Sequence, residues 1–255
     1  MMELKTDASM DAMRLPGRVV AEALAAVREA AKPGVTPQDL DAVAHEVLRE
    51  AGATSPFLGY RPSFAPVPFP AVLCVSVNHA IVHGIPTSQP LQDGDLVSAD
   101  FGALLGGWAG DAAVSFTVGT PRPADLRLIA TAERALAAGI EAAVVGNRIG
   151  DIAHAIGTVC REAGYGIPHG FGGHGIGRQM HEDPSVPNEG RPRRGVPLRH
   201  GMVLAIEPMV IGGGTDDYVT TADGWTLCTT DGSRAAHAEH TVAITHDGPR
   251  VLTSL

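Results

Sequence analysis

The chain has 255 residues, of which 44% are apolar and 18% are charged, with a formal net charge of −9. This length and composition are sufficient for one large domain, or two fused halves, with an extensive core. The negative charge argues against nucleic acid as a substrate, because phosphate binding needs a basic surface. The three cysteines form no CxxC motif and leave one unpaired, which argues against a disulfide framework.

The beginning of the chain has no feature of a targeting segment. Met1 to Ala12 carries three acidic residues and lacks the apolar core of a secretory signal. The longest uncharged stretch, Pro62 to Asn78, contains four prolines, which excludes a membrane helix. We therefore predict a short extension over residues 1–12, a single domain over residues 13–255 and a cytoplasmic location.

Two segments align without a gap when the chain is shifted by 112 residues over itself. Residues 23–52 match residues 135–164 at 14 of 30 positions, including a central glycine and an Arg-Glu-Ala-Gly ending. Alanine-rich helices match one another by chance, but the shared glycine and ending favour a true internal repeat. We expect two related halves, over about residues 13–120 and 121–255.

Each copy is predicted to form a long helix, a glycine-containing turn and a second helix closed by glycine. In the first copy Thr36 should cap the second helix, with Pro37 in its first turn. Strand-like sequence follows each helix pair. The predicted strands are Val72–Val77, Asp95–Gly102, Trp108–Val118, Met202–Ile211, Trp225–Cys228 and Glu239–Thr245. The expected architecture is an α+β domain of two halves, with antiparallel sheet inside and helices covering one side.

Asp100 and Asp111 flank residues 103–107, a segment typical of a hairpin tip. Pairing centred there would place the two aspartates opposite each other, with Cβ atoms about 4.5–5.5 Å apart. Two carboxylates at that separation repel each other, and a bridging cation would remove the repulsion. The alternative is that one aspartate caps a turn while the other is solvated.

The glycine-rich segment Gly170 to Gly177 contains His174. It matches G-x-G-x-x-G, but that pattern indicates a dinucleotide site only between a strand and the start of a helix. The sequence that follows contains Pro184 and Pro187 and is not typical of a helix. The glycines instead indicate backbone packed closely around an imidazole, and His181 seven residues later favours a shared pocket. A core histidine is the alternative.

Two glutamates and a further histidine lie in or beside apolar sequence. Glu207 interrupts the apolar run Gly201–Pro208, and glutamate is rarely buried without a partner. Glu239 begins the strand Glu239–Thr245, where alone it would be an ordinary edge-strand charge. His83 is either a core histidine or a catalytic group whose pKa lies in the useful range.

Five of these side chains have the character of metal ligands: Asp100, Asp111, His174, Glu207 and Glu239. Four carboxylates buried together without cations would each cost several kcal/mol. Two divalent ions would cancel that charge, and two metals about 3.5–4 Å apart produce hydroxide at neutral pH. The pattern predicts a dinuclear metallohydrolase.

In their order and contexts these residues resemble the type I methionine aminopeptidases of the pita-bread metallopeptidase fold, family M24. The resemblance runs from about Met13 to the carboxyl end and rests on six motifs. They are His83-Gly84-Ile85-Pro86, Asp100 with Asp111, Gly173-His174-Gly175-Ile176-Gly177, His181-Glu182-Asp183-Pro184, Ile206-Glu207-Pro208-Met209 and Glu239-His240-Thr241. Only 25 residues separate His181 from Glu207, whereas type II members have a long insert there.

The resemblance implies the α+β pita-bread fold, with two pseudo-symmetric halves and a central antiparallel sheet covered by helices. It also implies a metal-dependent enzyme that removes the initiator methionine when the second residue is small. Asp111 and Glu239 would bridge two divalent ions (Co, Mn, Fe or Zn), His174 and Glu207 would complete one ligand shell, and Asp100 the other. Oxygen-rich ligation with one imidazole suits Mn, Fe or Co better than a thiolate-selected zinc site.

The resemblance assigns the chemistry to three residues. A metal-bridging hydroxide would attack the first peptide carbonyl, with Glu207 as proton shuttle. His83 and His181 would contact the scissile amide and stabilise the tetrahedral intermediate. The second metal would hold the free α-amino group of the substrate, which makes the enzyme an aminopeptidase rather than an endopeptidase.

The methionine pocket implied by the resemblance is apolar and aromatic. Besides His83 and His181, its candidate residues are Phe57, Tyr60, Phe69, Cys74, Met180 and Trp225. The segment Arg61–Pro68 is longer than the family pattern, so a proline-rich loop should reach the pocket rim. Core packing is the alternative for the two phenylalanines.

The expected partners are the amino termini of nascent or newly made polypeptides, with transient ribosome contact and no membrane. We expect a monomer. One alternative is an Xaa-Pro aminopeptidase or dipeptidase on the same fold, although Met1–Pro16 leaves no room for the amino-terminal domain of those enzymes. The other is a binding member of the fold that has no catalytic activity.

Overall fold

The computed structural model describes residues 3–63 and 65–255. Met1 and Met2, which belong to the expected extension, lie outside the described residues. The helices are α1 (Asp7–Ala12), α2 (Arg14–Ala30), α3 (Pro37–Ala51), α4 (Pro123–Ala142) and α5 (Ile149–Glu162). None of the helices formed by the described residues has the length and hydropathy required to cross a bilayer.

Strands make up most of the remaining regular structure. The first half contains β1 (Leu73–Val77), β2 (Ala80–Val82), β3 (Leu96–Leu105) and β4 (Trp108–Thr117). The second half contains β5 (Gly172–Gly175), β6 (Glu182–Pro187), β7 (Val203–Ile206), β8 (Met209–Ile211), β9 (Tyr218–Thr220), β10 (Leu227–Thr229), β11 (Ala235–His237), β12 (Glu239–Thr245) and β13 (Gly248–Val251).

The main sheet joins strands from both halves. Its eight strands follow the order β1-β3-β4-β12-β7-β5-β6, with β13 paired to β12, and every pairing is antiparallel. Within this sheet the halves meet where β4 pairs with β12, and β2 of the first half also pairs with β10 of the second half in a separate three-stranded sheet. Glu239 therefore lies on a central strand, and the edge-strand alternative for it is wrong.

The helix pairs follow the expected pattern closely. Thr36 caps α3 by accepting a hydrogen bond from the backbone N–H of Asp39, whose carboxylate accepts from the Thr36 N–H in return. The start of α5 at Ile149 lies 112 residues after the start of α3 at Pro37 (149 − 37 = 112). This equal displacement supports the proposal of an internal repeat.

Each helix pair packs on its own part of the sheet. Helices α2 and α3 enclose one apolar cluster with β1, β3 and β4, in which Leu40 and Phe101 are fully buried. Helices α4 and α5 enclose a second cluster with β7 and β12, which contains the fully buried Ile156 and Leu204. Burying such side chains stabilises the fold by about 1.5–3 kcal/mol each. Apart from Leu96 of β3, which packs in the second cluster, the buried residues of each cluster come from one half of the chain.

The register of the β3–β4 hairpin differs from the prediction. Asp100 pairs with Ala113 and Asp111 pairs with Gly102, so the two aspartates are diagonal neighbours on one face and not directly opposite. The turn consists of two residues, Gly106 and Gly107, whose φ angles of 61° and 79° are those of the tight turns that join antiparallel strands. The centre of the hairpin therefore lies between Gly106 and Gly107, one residue closer to β4 than the predicted pairing of Asp100 with Asp111 requires.

The expected amino-terminal extension is packed against the domain. Met10 of α1 is fully buried, and the Lys5 backbone N–H donates to the carbonyl of Gly201 at 2.7 Å. The Lys5 ammonium lies 2.6 Å from a carboxylate oxygen of Glu182. Lys5 therefore joins the beginning of the chain to the first residue of β6 and to the segment that precedes β7.

Candidate active site

A cavity of about 390 Å³ opens where the two halves meet. The polar side chains that line it include two histidines outside the predicted ligand set and all five predicted ligands. They are His83, Asp100, Asp111, His174, His181, Glu207 and Glu239. Its apolar part is lined by Phe57, Tyr60, Phe69, Cys74, Phe171 and Trp225.

Five neighbouring strands place the predicted ligands. Following the sheet order, Asp100 comes from β3, Asp111 from β4, Glu239 from β12, Glu207 from the end of β7 and His174 from β5. The predicted strand Met202–Ile211 breaks at Glu207 and Pro208 into β7 and β8, because proline cannot donate to a ladder. The glutamate therefore projects from a strand end.

The imidazole of His174 is held in one orientation. Its Nδ1 lies 2.9 Å from the carbonyl oxygen of Gly175, which leaves Nε2 facing the carboxylates. Nε2 is 3.8 Å from Oδ2 of Asp111 and 3.6 Å from Oε1 of Glu207. Gly173 allows this strand to lie close to β7, since a Cβ there would be 2.0 Å from the Ala205 carbonyl oxygen.

The carboxylates repel one another in a buried setting. Burial raises the pKa of Asp111 and of Glu239 well above the ordinary values, and the neighbouring acids add to the effect. Burial likewise raises the pKa of Asp100 to about 7 and that of Glu207 to about 8. Such shifts mean that burial disfavours the ionised form of these carboxyls, and among the described residues no lysine or arginine lines the cavity to stabilise it.

The donor atoms fit divalent metal ions. Oδ1 of Asp100, Oδ1 of Asp111 and Oε1 of Glu239 are buried without any hydrogen-bond partner in the described part of the chain. Oxygens of Asp111 and Glu239 and a nitrogen of His174 lie within 4.8 Å of one another. Buried acceptors without donors are costly, and a cation shared between them would remove that cost.

His83, which follows β2, and His181, which precedes β6, both line the cavity. His83 has a φ angle of 59°, a strained conformation for a non-glycine residue, and its ring contacts Phe171 and Trp225. His181 stacks on Tyr60 with ring centroids 5.3 Å apart. Burial lowers the pKa of both imidazoles, that of His83 to about 4. Each is therefore neutral at pH 7, with one N–H to donate and one lone pair.

The apolar end of the cavity is an aromatic cluster. Phe69 packs edge-on against Trp225 at 5.2 Å and against Phe57 at 6.4 Å between ring centroids. The indole N–H of Trp225 donates to the carbonyl of Val67 at 2.9 Å. The proline-rich loop Arg61–Pro68, of which residue 64 is outside the described residues, thus fixes the position of Trp225 in the cavity lining.

Met180, a predicted pocket residue, does not line the cavity. It is buried in a separate cluster with Trp108 and Ile176. Its terminal methyl group fills the space beside Gly102, where a Cβ would lie 2.4 Å from it. Because Gly102 has no side chain, the Met180 side chain can pack in this cluster instead of lining the cavity.

Phe171 and His237 are among the residues at the site that were not predicted. Phe171 lies inside the glycine-rich segment that was interpreted only for its histidine. His237 is 1% exposed, and its Nε2 faces Glu207 and Glu239. Its position two residues before Glu239 is the one available signal, since alternate residues of an extended chain face the same side.

The comparisons identify the class of protein to which this geometry belongs. Residues 11–246 match the model of metallopeptidase family M24, and the chain is a member of that family. Within the family it is 54% identical to methionine aminopeptidase 1 of Mycobacterium tuberculosis, over 96% of this chain and 92% of the relative.

Solved structures agree with this placement. The crystal structure of methionine aminopeptidase from Thermotoga maritima superposes with a TM-score of 0.95 at 39% identity, with all of both chains covered. The prolidase from Pyrococcus furiosus has a TM-score of 0.76 at 22% identity, over 99% of this chain and 65% of its own, and shows the fold alone. The predicted α+β pita-bread fold is confirmed.

Proposed function

We propose that this chain is a metal-dependent aminopeptidase that removes the amino-terminal methionine from peptides and proteins whose second residue is small. The observation that carries the proposal is the cavity, in which a cluster of four carboxylates and an imidazole adjoins an aromatic pocket. The full-length similarity to relatives named methionine aminopeptidase supports it. A charged cluster beside an apolar cavity suits a substrate with a reacting amide and an apolar side chain.

The proposed metal ligands are the five side chains of the carboxylate cluster: Asp100, Asp111, His174, Glu207 and Glu239. With two divalent ions of Co, Mn, Fe or Zn bound, the site would supply Lewis-acid polarisation of a carbonyl and a water of lowered pKa. The hydrogen bond between Nδ1 of His174 and Gly175 orients this ligand. Asp111 and Glu239, on the paired strands β4 and β12, are the proposed bridging residues.

The remaining polar residues are assigned to the reacting amide. His83 and His181 line the cavity as neutral imidazoles, so each can donate an N–H to the substrate amide or its tetrahedral intermediate. Glu207 also lines the cavity, and its carboxylate is the proposed carrier of the proton to the leaving amine.

The proposed methionine pocket is the aromatic end of the cavity, formed by Phe57, Tyr60, Phe69, Cys74 and Trp225. The Cα partner of Cys74 in β1 is Asp100, which places the apolar and ligand-bearing parts side by side. An unbranched thioether adapts to an aromatic pocket, and contact between its sulfur and the rings is favourable by about 0.3–1.5 kcal/mol. Met180 packs behind this pocket and supports it indirectly.

The proposed partners are the amino termini of nascent or newly made polypeptides, which the protein would reach by transient contact with the ribosome. A cytoplasmic location and a monomeric state complete the proposal. The acidic charge of −9 supports the absence of a nucleic acid substrate.

The direct test is peptide cleavage by the metal-loaded protein. We expect release of methionine from Met-Ala-Ser and no release of lysine from Lys-Ala-Ser, because the pocket is apolar. Absence of methionine release with Mn, Co and Fe would overturn the proposal. Faster hydrolysis of Ala-Pro-Ser than of Met-Ala-Ser would favour an Xaa-Pro peptidase. Failure to bind two equivalents of metal by elemental analysis would favour a binding protein without catalytic activity.

A further inference from the structure

His237 lies against the carboxylate cluster although none of the roles above uses it. The residue is the last of β11 and is 1% exposed. Ser115 holds its backbone twice: the His237 N–H donates to the serine hydroxyl at 2.9 Å, and that hydroxyl donates to the His237 carbonyl at 2.7 Å. The backbone that carries the imidazole is therefore anchored beside β4.

The ring nitrogen of His237 faces two of the proposed metal ligands. Nε2 lies 3.7 Å from Oε2 of Glu207 and 3.9 Å from Oε2 of Glu239. Both separations exceed hydrogen-bond length. Nε2 has no hydrogen-bond partner among the described residues, although it is fully enclosed. A buried nitrogen at this distance from two carboxylates leaves a gap that suits a cation.

The surroundings of His237 match those of His174. Nε2 of His174 lies 3.6 and 3.8 Å from two carboxylate oxygens, and Nε2 of His237 lies 3.7 and 3.9 Å from two. Glu207 is common to both: Oε1 faces His174 and Oε2 faces His237. Ligand bonds of about 2.0–2.2 Å allow two ligands of one ion to lie up to about 4.4 Å apart.

We propose that His237 is a sixth metal-coordinating residue, whose Nε2 binds a divalent ion together with Glu207 and Glu239. The proposal rests on the proposed function, since it needs a carboxylate cluster that binds divalent ions. A ligand atom from each of the three residues lies within 4.8 Å of the other two. The centre then has two imidazoles on either side of Glu207, which favours Co, Fe or Zn over the purely oxygen-preferring Mg.

The test counts coordinating imidazoles in the cobalt-loaded protein by proton NMR, in which ligand histidines give hyperfine-shifted N–H resonances. We expect two such resonances in the wild type and one in His237→Gln. A single shifted imidazole in the wild type would overturn the proposal, even if the variant failed to fold. The wild-type count needs no substitution and no activity measurement.

Calorimetric titration with Co²⁺ gives a second readout. Loss of a ligand should weaken one of the two bound equivalents in His237→Gln by at least the roughly tenfold that loss of a group hydrogen-bonded to a ligand typically costs. The matched control is His200→Gln, because His200 stacks on His246 outside the cavity and should bind Co²⁺ as the wild type does. Unchanged affinity in His237→Gln would show that His237 is at most a hydrogen-bond donor to Glu207 and would overturn the proposal.

The two proposals fail in different ways. Wild-type protein that binds no second equivalent of metal and releases no methionine would contradict the proposed function. Wild-type protein that binds two equivalents, cleaves Met-Ala-Ser and shows only one shifted imidazole would contradict the role of His237 alone.

Discussion

At the scale of single residues, His83 combines backbone strain with a position in the cavity wall. Its φ angle of 59° is maintained although it costs of order 1–3 kcal/mol. Its ring is enclosed by Phe171 and Trp225. Strain that persists beside a cavity favours a functional imidazole over a core histidine.

Replacement of His83 by alanine should lower kcat/KM for Met-Ala-Ser about 100-fold or more, because a proton donor to the amide is lost. Metal content, measured by elemental analysis, should stay at the wild-type value. His79→Ala is the matched control, since His79 is an exposed histidine four residues away. Loss of metal in His83→Ala would instead make His83 a ligand or a structural residue.

The ion pair between Lys5 and Glu182 ties the beginning of the chain to the site. The lysine side chain is 2% exposed, and Glu182 follows His181 directly. Lys5→Met should destabilise the fold by about 1–3 kcal/mol in denaturant titration, because it leaves the glutamate unpaired. It should also slow peptide cleavage through a shift of His181.

The double variant Lys5→Met with Glu182→Gln separates these effects. Removing both charges should recover part of the stability lost in the single variant, because no buried charge is left without a partner. A double variant less stable than Lys5→Met would mean that packing of the lysine stem, rather than the ion pair, matters.

At the scale of elements, the β3–β4 hairpin decides how the two aspartates are presented. The two-glycine turn sets Asp111 across from Gly102 and Asp100 across from Ala113. Alternate residues of a strand face one side, so both carboxylates reach the cavity while separated by one diagonal step. A register shifted by one residue would turn one of them to the opposite face.

The end of α5 is held by an ion-pair network. Arg161 donates two hydrogen bonds to Glu189 and two to Asp216, and these contacts hold the pKa of both carboxyls below their ordinary values. The arginine side chain is 34% exposed, so solvent weakens the pairs. Arg161→Met should therefore cost only about 1–2 kcal/mol of unfolding free energy.

The loss should depend on pH. Because both folded-state pKa values are lowered, the stabilisation is present above the unfolded-state values near 4 and disappears as the pH falls through the lowered values. Denaturant titrations at pH 7 and pH 3 should show the wild type and Arg161→Met converging at low pH. Arg18→Met, which removes an exposed helix pair with Glu22, should stay within about 0.5 kcal/mol at both. A gap as large at pH 3 as at pH 7 would contradict the electrostatic origin.

At the scale of the whole molecule, the carboxylate cluster lies at the seam between the two halves. Asp111 on β4 and Glu239 on β12 come from opposite halves, and their strands pair directly. The two main apolar clusters lie on either side of this seam. Ions bound here would therefore hold the halves together.

Metal removal should consequently destabilise the fold. Free ion at 100 times its Kd adds about 2.7 kcal/mol to the unfolding free energy. For a chain of this size, that corresponds to about 5–10 °C in Tm by calorimetry. Chelated protein should lose this increment and regain it when Co²⁺ or Mn²⁺ is restored.

Asp111→Asn is the control for a specific effect. It removes a proposed bridging carboxylate, so its Tm should respond much less to the metal, while its metal-free form should not be less stable than the metal-free wild type. An equal metal-induced rise in both proteins would show that the ion stabilises the chain elsewhere.

Local patterns in the sequence determined a large part of this protein. Helix caps such as Thr36 and the unusual contexts of the five acidic and imidazole residues are legible within a few neighbouring residues, and the repeated helix pair is legible when the chain is aligned with itself. They could be predicted because propensity, capping and hydrophobic periodicity act over short sequence distances.

Tertiary structure alone decided the rest. The diagonal arrangement of Asp100 and Asp111 depends on the hairpin register, and the inward turn of Met180 depends on space beside Gly102. The approach of His237 to Glu207 and the pairing of Lys5 with Glu182 join residues far apart in the chain. Such contacts follow from the packing of whole elements, which no local pattern specifies. The carboxylates could therefore be expected from the sequence, while the imidazole of His237 beside them was indicated only by its spacing from Glu239.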